Sequence, residues 1–358
     1  MRQALTPLLN VVLIVSVFCP AALGAAPRPG VPKKPASRPP DAAILYNRSL
    51  KADDLYSYRG RQITTYWRTG RAVAVIVSHR APSLRRIDYL APDSRRGSSV
   101  VTDSTQEWLY DARSKQLRHR RLAPDAEAVA DAADRYDLLR ANYILQVLPQ
   151  ARTWADRKVF LLTITRRTNR TPARKLWVDA ATGVVLKRES YREDGKLALT
   201  VAFSDVNSHA PLPRSLFNLS ALAARPGVKT MEEKPSGESS VTLANVAHQL
   251  GGAARSPSHL AGYRLVSAAL TPDGKTLHLR YSDGLNLVSL FEQRRTQLRR
   301  PTRVPPTMHP TRIGQRAGYI SHRASLTTLN WDTGALNFTL MGEIAESSLQ
   351  DLAAQADH

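Results

Sequence analysis

The feature that most constrains this chain is the spacing of its β-prone runs. Residues 63–67 (Ile-Thr-Thr-Tyr-Trp) lead through Thr69-Gly70 into residues 72–77 (Ala-Val-Ala-Val-Ile-Val). Residues 85–90, 98–103, 107–111 and 116–120 follow, separated by short breaks such as Pro92-Asp93. Short runs rich in β-branched and aromatic residues at this spacing predict strands. The intervals leave no room for the crossover helices that a parallel sheet needs, so the sheet is an antiparallel meander.

The period changes at residues 124–141. That stretch is Ala-rich, with Asp125 and Glu127 near its start and Leu138-Leu139 near its end, and it predicts a helix. Strands resume at 143–148, 158–164, 175–178 and 184–188, and Asp194-Gly195 turns a hairpin into 197–203. From 218 to 257 the apolar period fades into a linker, with a short helix expected at 243–250. A second β unit then begins. Its strands are expected at 263–270, 276–281, 285–292, 318–322, 325–331 and 336–342, turned by Pro272-Asp273-Gly274, Ser282-Asp283-Gly284 and Asp332-Thr333-Gly334. A helix at 347–354, capped by Glu346 or Ser347, closes the chain.

A length of 358 residues with 42% hydrophobic content fits two folding units. The net charge of +21 implies attraction to polyanions without choosing one. A single cysteine excludes a disulfide scaffold and any Cys-rich metal site. At the amino terminus, Arg2 precedes an apolar stretch from Ala4 to Cys19, then Pro20 and small residues at cleavage spacing. That layout reads as a secretory signal over residues 1–24, cut after Gly24. An uncleaved anchor is the alternative, although the run is short for a span. Phe18 disfavours a lipoprotein acceptor role for Cys19. Cleavage removes Arg2 and Cys19, and residues 25–41 read as a Pro-rich disordered tether. Matches to the glycosylation pattern at Asn47, Asn169 and Asn218 are taken as chance.

The sequence offers no nucleophile elbow, zinc-protease helix, phosphate-binding loop or C-x-x-C pair. Its nine histidines are scattered, and the adjacent carboxylates Asp53-Asp54 and Glu193-Asp194 point apart on a strand. No catalytic residue, metal or cofactor is expected, nor is nucleic acid. Two binding features remain. Ile63, Trp67, Val73, Val75, Val77, Trp108, Phe160, Leu162, Ile164 and Trp177 are candidates either to line an acyl-chain cavity or to pack as ordinary core. Arg294, Arg295, Arg299, Arg300, Arg303, Arg312 and Arg316 lie among Pro301, Pro305, Pro306 and Pro310. They read as an exposed basic loop, either solvated or in contact with a polyanion such as an anionic membrane surface.

The wording of both units resembles the RseB/MucB family of periplasmic regulators that guard a transmembrane anti-sigma factor. The resemblance is carried by Tyr56-Ser-Tyr58-Arg-Gly60, Glu107-Trp108-Leu109-Tyr110-Asp111, Leu138-Leu139-Arg-Ala-Asn142-Tyr143 and Trp154-Ala-Asp-Arg157-Lys-Val-Phe160. It continues through Lys175-Leu-Trp177-Val-Asp179-Ala-Ala-Thr-Gly183, Phe203-Ser-Asp205 and Pro211-Leu-Pro213-Arg-Ser-Leu-Phe217. In the second unit, Gly262-Tyr263-Arg-Leu265, Tyr281-Ser-Asp283-Gly284-Leu285 and Leu290-Phe291-Glu292 carry it. The stretch around Trp177 and Gly183 also resembles LolA-like lipoprotein carriers. Asp156 stands where the family usually has Gly, and the Arg/Pro segment and high positive charge are atypical of it.

The resemblance implies an α+β, mainly antiparallel β fold. A LolA-like open β-barrel wrapped around helix would span 42–217, and a smaller C-terminal α+β domain 258–358, joined by the 218–257 linker. It implies a non-enzymatic periplasmic protein that binds lipid or lipoprotein acyl chains and the extracytoplasmic segment of an anti-sigma factor. A LolA-like lipoprotein carrier and a basic envelope-surface adaptor binding anionic lipid are the alternatives. Amino-terminal sequencing of the exported protein should read from Ala25; a chain that retains Met1 in the membrane would establish the anchor instead.

Overall fold

Two short helices precede the first strand, where sequence periodicity gave no warning of them. Asp41 caps α1 (Ala42–Leu50) by accepting from the amides of Ala43 and Ile44 at 2.8 and 3.2 Å. The helix α2 (Ala52–Leu55) follows directly. The computed structural model describes residues 39–122, 132–148, 152–233, 239–240, 259–271, 273–294, 307–323, 326–333 and 335–356. The expected signal peptide, nearly all of the tether, the helix at 243–250, and Arg295, Arg299, Arg300 and Arg303 lie outside these residues.

The meander forms as its spacing predicts. Its strands are β1 (Tyr58–Tyr66), β2 (Arg71–Arg80), β3 (Leu84–Ala91), β4 (Ser99–Thr102), β5 (Gln106–Asp111) and β6 (Gln116–Arg121). After α3 (Ala132–Asn142) come β7 (Tyr143–Val147), β8 (Arg152–Trp154), β9 (Arg157–Arg166), β10 (Pro172–Asp179), β11 (Val185–Tyr191) and β12 (Leu197–Asn207). These strands and β13 (Lys229–Glu233) hydrogen-bond in the order β13-β6-β5-β4-β3-β2-β1-β12-β11-β10-β9-β7, with β8 also on β9. Among the described residues, β13 on β6 is the parallel pairing of this first sheet. Residues 218–233, expected as linker, are therefore partly built into the sheet: Leu219 is buried beneath it and β13 extends its edge.

Side chains on both faces of β9 are buried. Val159 and Leu161 join one core cluster with Tyr58, Val75, Val77, Trp177, Leu186 and Phe203. Leu162 and Ile164 join another with Leu45 and Tyr46 of α1, Leu139 of α3, and Leu176 and Val178. A near-continuous apolar run is what a strand covered on both faces requires. A third cluster sets Val101 and Leu117 against Phe217 and Leu219.

The second sheet comprises β14 (Ser239–Ser240), β15 (His259–Leu260), β16 (Tyr263–Leu270), β17 (Thr276–Ser282), β18 (Leu287–Arg294), β19 (Met308–Ile313), β20 (Arg316–Arg323), β21 (Leu326–Asp332) and β22 (Leu336–Gly342). Its order is β14-β16-β17-β18-β22-β21-β20-β19, with β15 on β16. The closing helix α4 (Glu346–Ala356) lays Leu349, Leu352, Ala353 and Ala356 on its core. Here one expectation is corrected. Arg312 and Arg316 do not lie in a loop; they belong to the β19–β20 hairpin, where Ile313 pairs with Arg316, and Arg294 ends β18. Pro310 is tolerated because β19 is the edge strand of the order.

The fold class is α+β and mainly antiparallel. Residues 39–358 form one compact unit. Among the described residues no helix is long and apolar enough to cross a membrane.

The Asp179 turn shows why its wording is so particular. Its buried carboxylate accepts from Arg157 Nε at 2.6 Å and from the amides of Ala181 and Thr182 at 3.0 and 2.7 Å, while Thr182 Oγ1 donates to it at 2.8 Å. Burial pushes this carboxyl up, but the bonds from Arg157 and Thr182 outweigh it and hold the group below its ordinary range. Such a group adds stability above about pH 4 and loses it as pH falls through the lowered folded value. Unfolding midpoints followed into acid should therefore fall less steeply for Asp179→Asn than for the parent chain.

Candidate functional site

The turn between β17 and β18 seats the second sheet on the first. Asp283 Oδ1 accepts from the amides of Leu285 and Asn286 at 2.8 and 2.6 Å, which leaves Oδ2 facing outward. Tyr143 Oη, at the start of β7, donates to Oδ2 at 2.5 Å, and Asn286 Nδ2 donates to it at 3.1 Å. Asn142 Nδ2, at the end of α3, reaches the carbonyls of Gly262 and Asp283 at 3.2 and 3.1 Å. Arg174 donates to the Leu285 carbonyl at 2.8 Å. Burial and then the Asp283 charge push the Tyr143 hydroxyl far above its ordinary range, and the same two causes raise Tyr263. Both therefore stay protonated donors.

Backbone approaches backbone at this joint. Gly284 has φ +90, and a Cβ there would sit 2.2 Å from the Leu139 amide nitrogen. Only glycine meets both demands. A second contact ties α4 to the first sheet, where Ser348 Oγ donates to Glu193.

Between these contacts lies a cleft of about 720 Å³. Its first wall carries Tyr66, Arg68, Arg166, Tyr191 and Arg192, and its second Tyr263, His322, Thr327, Glu343 and Glu346. Arg166 is held by the Pro172 and Tyr191 carbonyls at 2.5 and 2.8 Å, and Arg192 pairs with Asp194 at 3.0 Å. His322 Nε2 lies 3.4 Å from Glu346. Burial, then the Arg174 charge, lower the Arg188 guanidinium beneath this wall, against the pull of Glu343. The lining is aromatic and charged. Among the described residues no cluster of His, Cys, Asp and Glu is placed to hold a metal ion.

The apolar residues singled out by sequence fall in several places. Val75, Val77 and Trp177 meet in one cluster, with Val73 packed against it. Leu162 and Ile164 lie in the helix-covered cluster, with Phe160 beside them. Trp108 packs on the third cluster and stacks on His119 at 4.1 Å. Ile63 and Trp67 join none of these clusters and are 40% and 53% exposed. Arg294, Arg312 and Arg316 lie in the second sheet and are not among the cleft-lining residues. Sequence reading missed the cleft itself. Its joint was nonetheless written in two quoted motifs, Asn142-Tyr143 and Ser282-Asp283-Gly284, which nothing in the linear text joined.

Comparison with known proteins places this geometry. Neither a protein-family model nor a curated protein matches the sequence. Among solved structures, the complex of Pseudomonas aeruginosa MucA/MucB aligns with TM-score 0.54 at 19% identity, covering 88% of this chain and 97% of that chain. MucB crystallised alone gives TM-score 0.50 at 19% identity over 87% of this chain and 96% of its own. The LolA superfamily protein NE2245 from Nitrosomonas europaea matches 49% of this chain and 98% of that one at 16% identity, with TM-score 0.25. The chain thus has the two-sheet fold of MucB.

Gly284→Ala should strain the joint and cost about 2 kcal/mol or more. Denaturant unfolding followed separately by near-UV signals and by proteolysis should give two transitions in place of one.

Proposed function

We propose that this chain is an exported, non-enzymatic regulator that binds the extracytoplasmic segment of a transmembrane anti-sigma factor. In this reading it also responds to lipid or lipoprotein acyl chains and so controls release of an envelope-stress sigma factor. The observation that carries the reading is the extent of the likeness to MucB, which runs through both sheets at 88% of this chain and 97% of the other. A lipoprotein carrier built on the first sheet alone would need neither the second sheet nor the cleft.

Residues 42–217 then act as the lipid-responsive domain, and the partner docks in the cleft that 258–358 forms against them, with 218–257 between the two in sequence. The clusters around Trp177 and around Leu162 are the places where the first sheet gathers apolar surface. The cleft walls supply tyrosines and arginines, residue types that concentrate binding energy at protein interfaces. MucB is known in complex with MucA, and the same kind of contact is proposed here for an anti-sigma partner. Lipid binding would weaken it by shifting the first sheet under the Asp283 joint.

The test is co-purification from the periplasmic fraction with a single-span membrane anti-sigma protein, alongside mass spectrometry of retained lipids. Capture of that partner is expected, with affinity reduced about tenfold or more in Arg192→Glu combined with Tyr66→Ala. Retained lipids with no anti-sigma partner would sink the regulatory reading and favour a carrier.

A further inference from the structure

One face of β1 is unlike the rest of the first sheet. Between Asp54 and Asp88 the chain has seven arginines and no carboxylate. Two of them, Arg59 and Arg61, are exposed on the outward face of β1, whereas Arg71 pairs with Tyr66 on the opposite face and Arg68 lines the cleft. Along β1, Arg59, Arg61, Ile63 and Thr65 share one face by strand alternation, and Trp67 continues the row because its amide donates to the Ala198 carbonyl at 3.0 Å. The residues opposite Ile63 are Ala74 and Ala202, and those opposite Thr65 are Ala72 and Thr200. Such small neighbours cannot shield a bulky side chain, which accounts for the exposure of Ile63 and Trp67. Trp67 is fixed as well as exposed, since its Nε1 donates to Thr200 Oγ1 at 2.8 Å. Two carboxylates stand near the row. Asp205 opposes Arg61 and accepts from its amide at 3.4 Å, while Glu189, opposite Thr200 on β11, is already paired with Lys187 at 2.8 Å.

We propose that this face docks the protein on the surface of an anionic lipid bilayer. An indole held at the tip of a hairpin, with an aliphatic side chain and two arginines in line behind it, is the arrangement that a headgroup layer rewards. The rings enter the interface and the guanidiniums meet phosphate. Arginine is suited to this role because its planar fork takes phosphate oxygens bidentately. Tryptophan and arginine serve protein interfaces too, but here the indole and isoleucine stand at an exposed hairpin tip and not in a recessed pocket, which favours the bilayer. Ile63 and Trp67 belong to none of the core clusters, although the pairing Trp177–Lys187–Ala202–Ile63 places Trp177 on the same side of the sheet three strands away.

The experiment is co-sedimentation of the full chain with vesicles of phosphatidylglycerol and phosphatidylethanolamine, against vesicles of phosphatidylcholine alone. Binding to the anionic vesicles is expected, with suppression by salt because exposed charge contacts are screened. Arg59→Gln with Arg61→Gln should weaken it roughly fivefold per arginine. Trp67→Ala should weaken it further, and Trp67→Phe keeps the ring should the alanine variant misfold. Brominated lipid should quench tryptophan emission in the parent chain and much less in Trp67→Phe. Equal sedimentation with neutral and anionic vesicles, or undiminished binding by the arginine and tryptophan variants, would overturn the proposal. So would a parent chain that stays in solution with both vesicle types.

Discussion

A buried carboxylate, that of Asp283, anchors the joint between the two sheets. Asp283 collects two amides of its own turn, the hydroxyl of Tyr143 and the side-chain amide of Asn286. A charge taken from water at this depth is tolerated only when its acceptor sites are filled. Donors from both sheets are needed to fill them. The joint therefore exists only when both sheets are folded, and the cleft beside it is a product of that dependence. The absent side chain at Gly284 sets how closely the two backbones approach, and Asp283 sets the orientation.

The walls of the cleft follow from the same seat. Once Tyr143 and Asn142 are committed to the joint, the strands beside them present Tyr191, Arg192 and Tyr66 toward α4 and the β20–β21 hairpin. Most of these polar groups are already held, Arg166 by carbonyls and Arg192 by Asp194. Side chains placed in advance lose little freedom when a partner arrives. The cleft is in that sense preorganised, whereas apolar surface in the first sheet is gathered into separate clusters.

Much of the architecture was legible because it rests on local rules. Run length and turn residues gave the meander. The short helices α1 and α2 were not legible, since Ala42–Leu50 is too brief to establish a period and its cap, Asp41, is a lone residue. Arg312 and Arg316 were read as loop because charge and nearby prolines masked an edge hairpin. The apolar candidates illustrate a deeper limit. Alternation says that Val75 and Val77 share a face, but whether that face meets Trp177 or solvent depends on how the whole sheet curls. Ile63 has the same local pattern and is exposed because alanines stand beside it on both neighbouring strands.

The parallel strand β13 has a consequence for how the molecule is strung together. In the hydrogen-bonded order of the first sheet, β13 is one terminal strand and β7 is the other. The chain leaves toward the second sheet from the first of these edges, yet the second sheet is seated against Tyr143 at the other. Covalent connection and physical attachment are thus at opposite ends of the ladder. Each end of the ladder has its own tie to the second sheet, one covalent and one through side chains. The molecule resembles a clasp whose hinge pin and strap are independent parts.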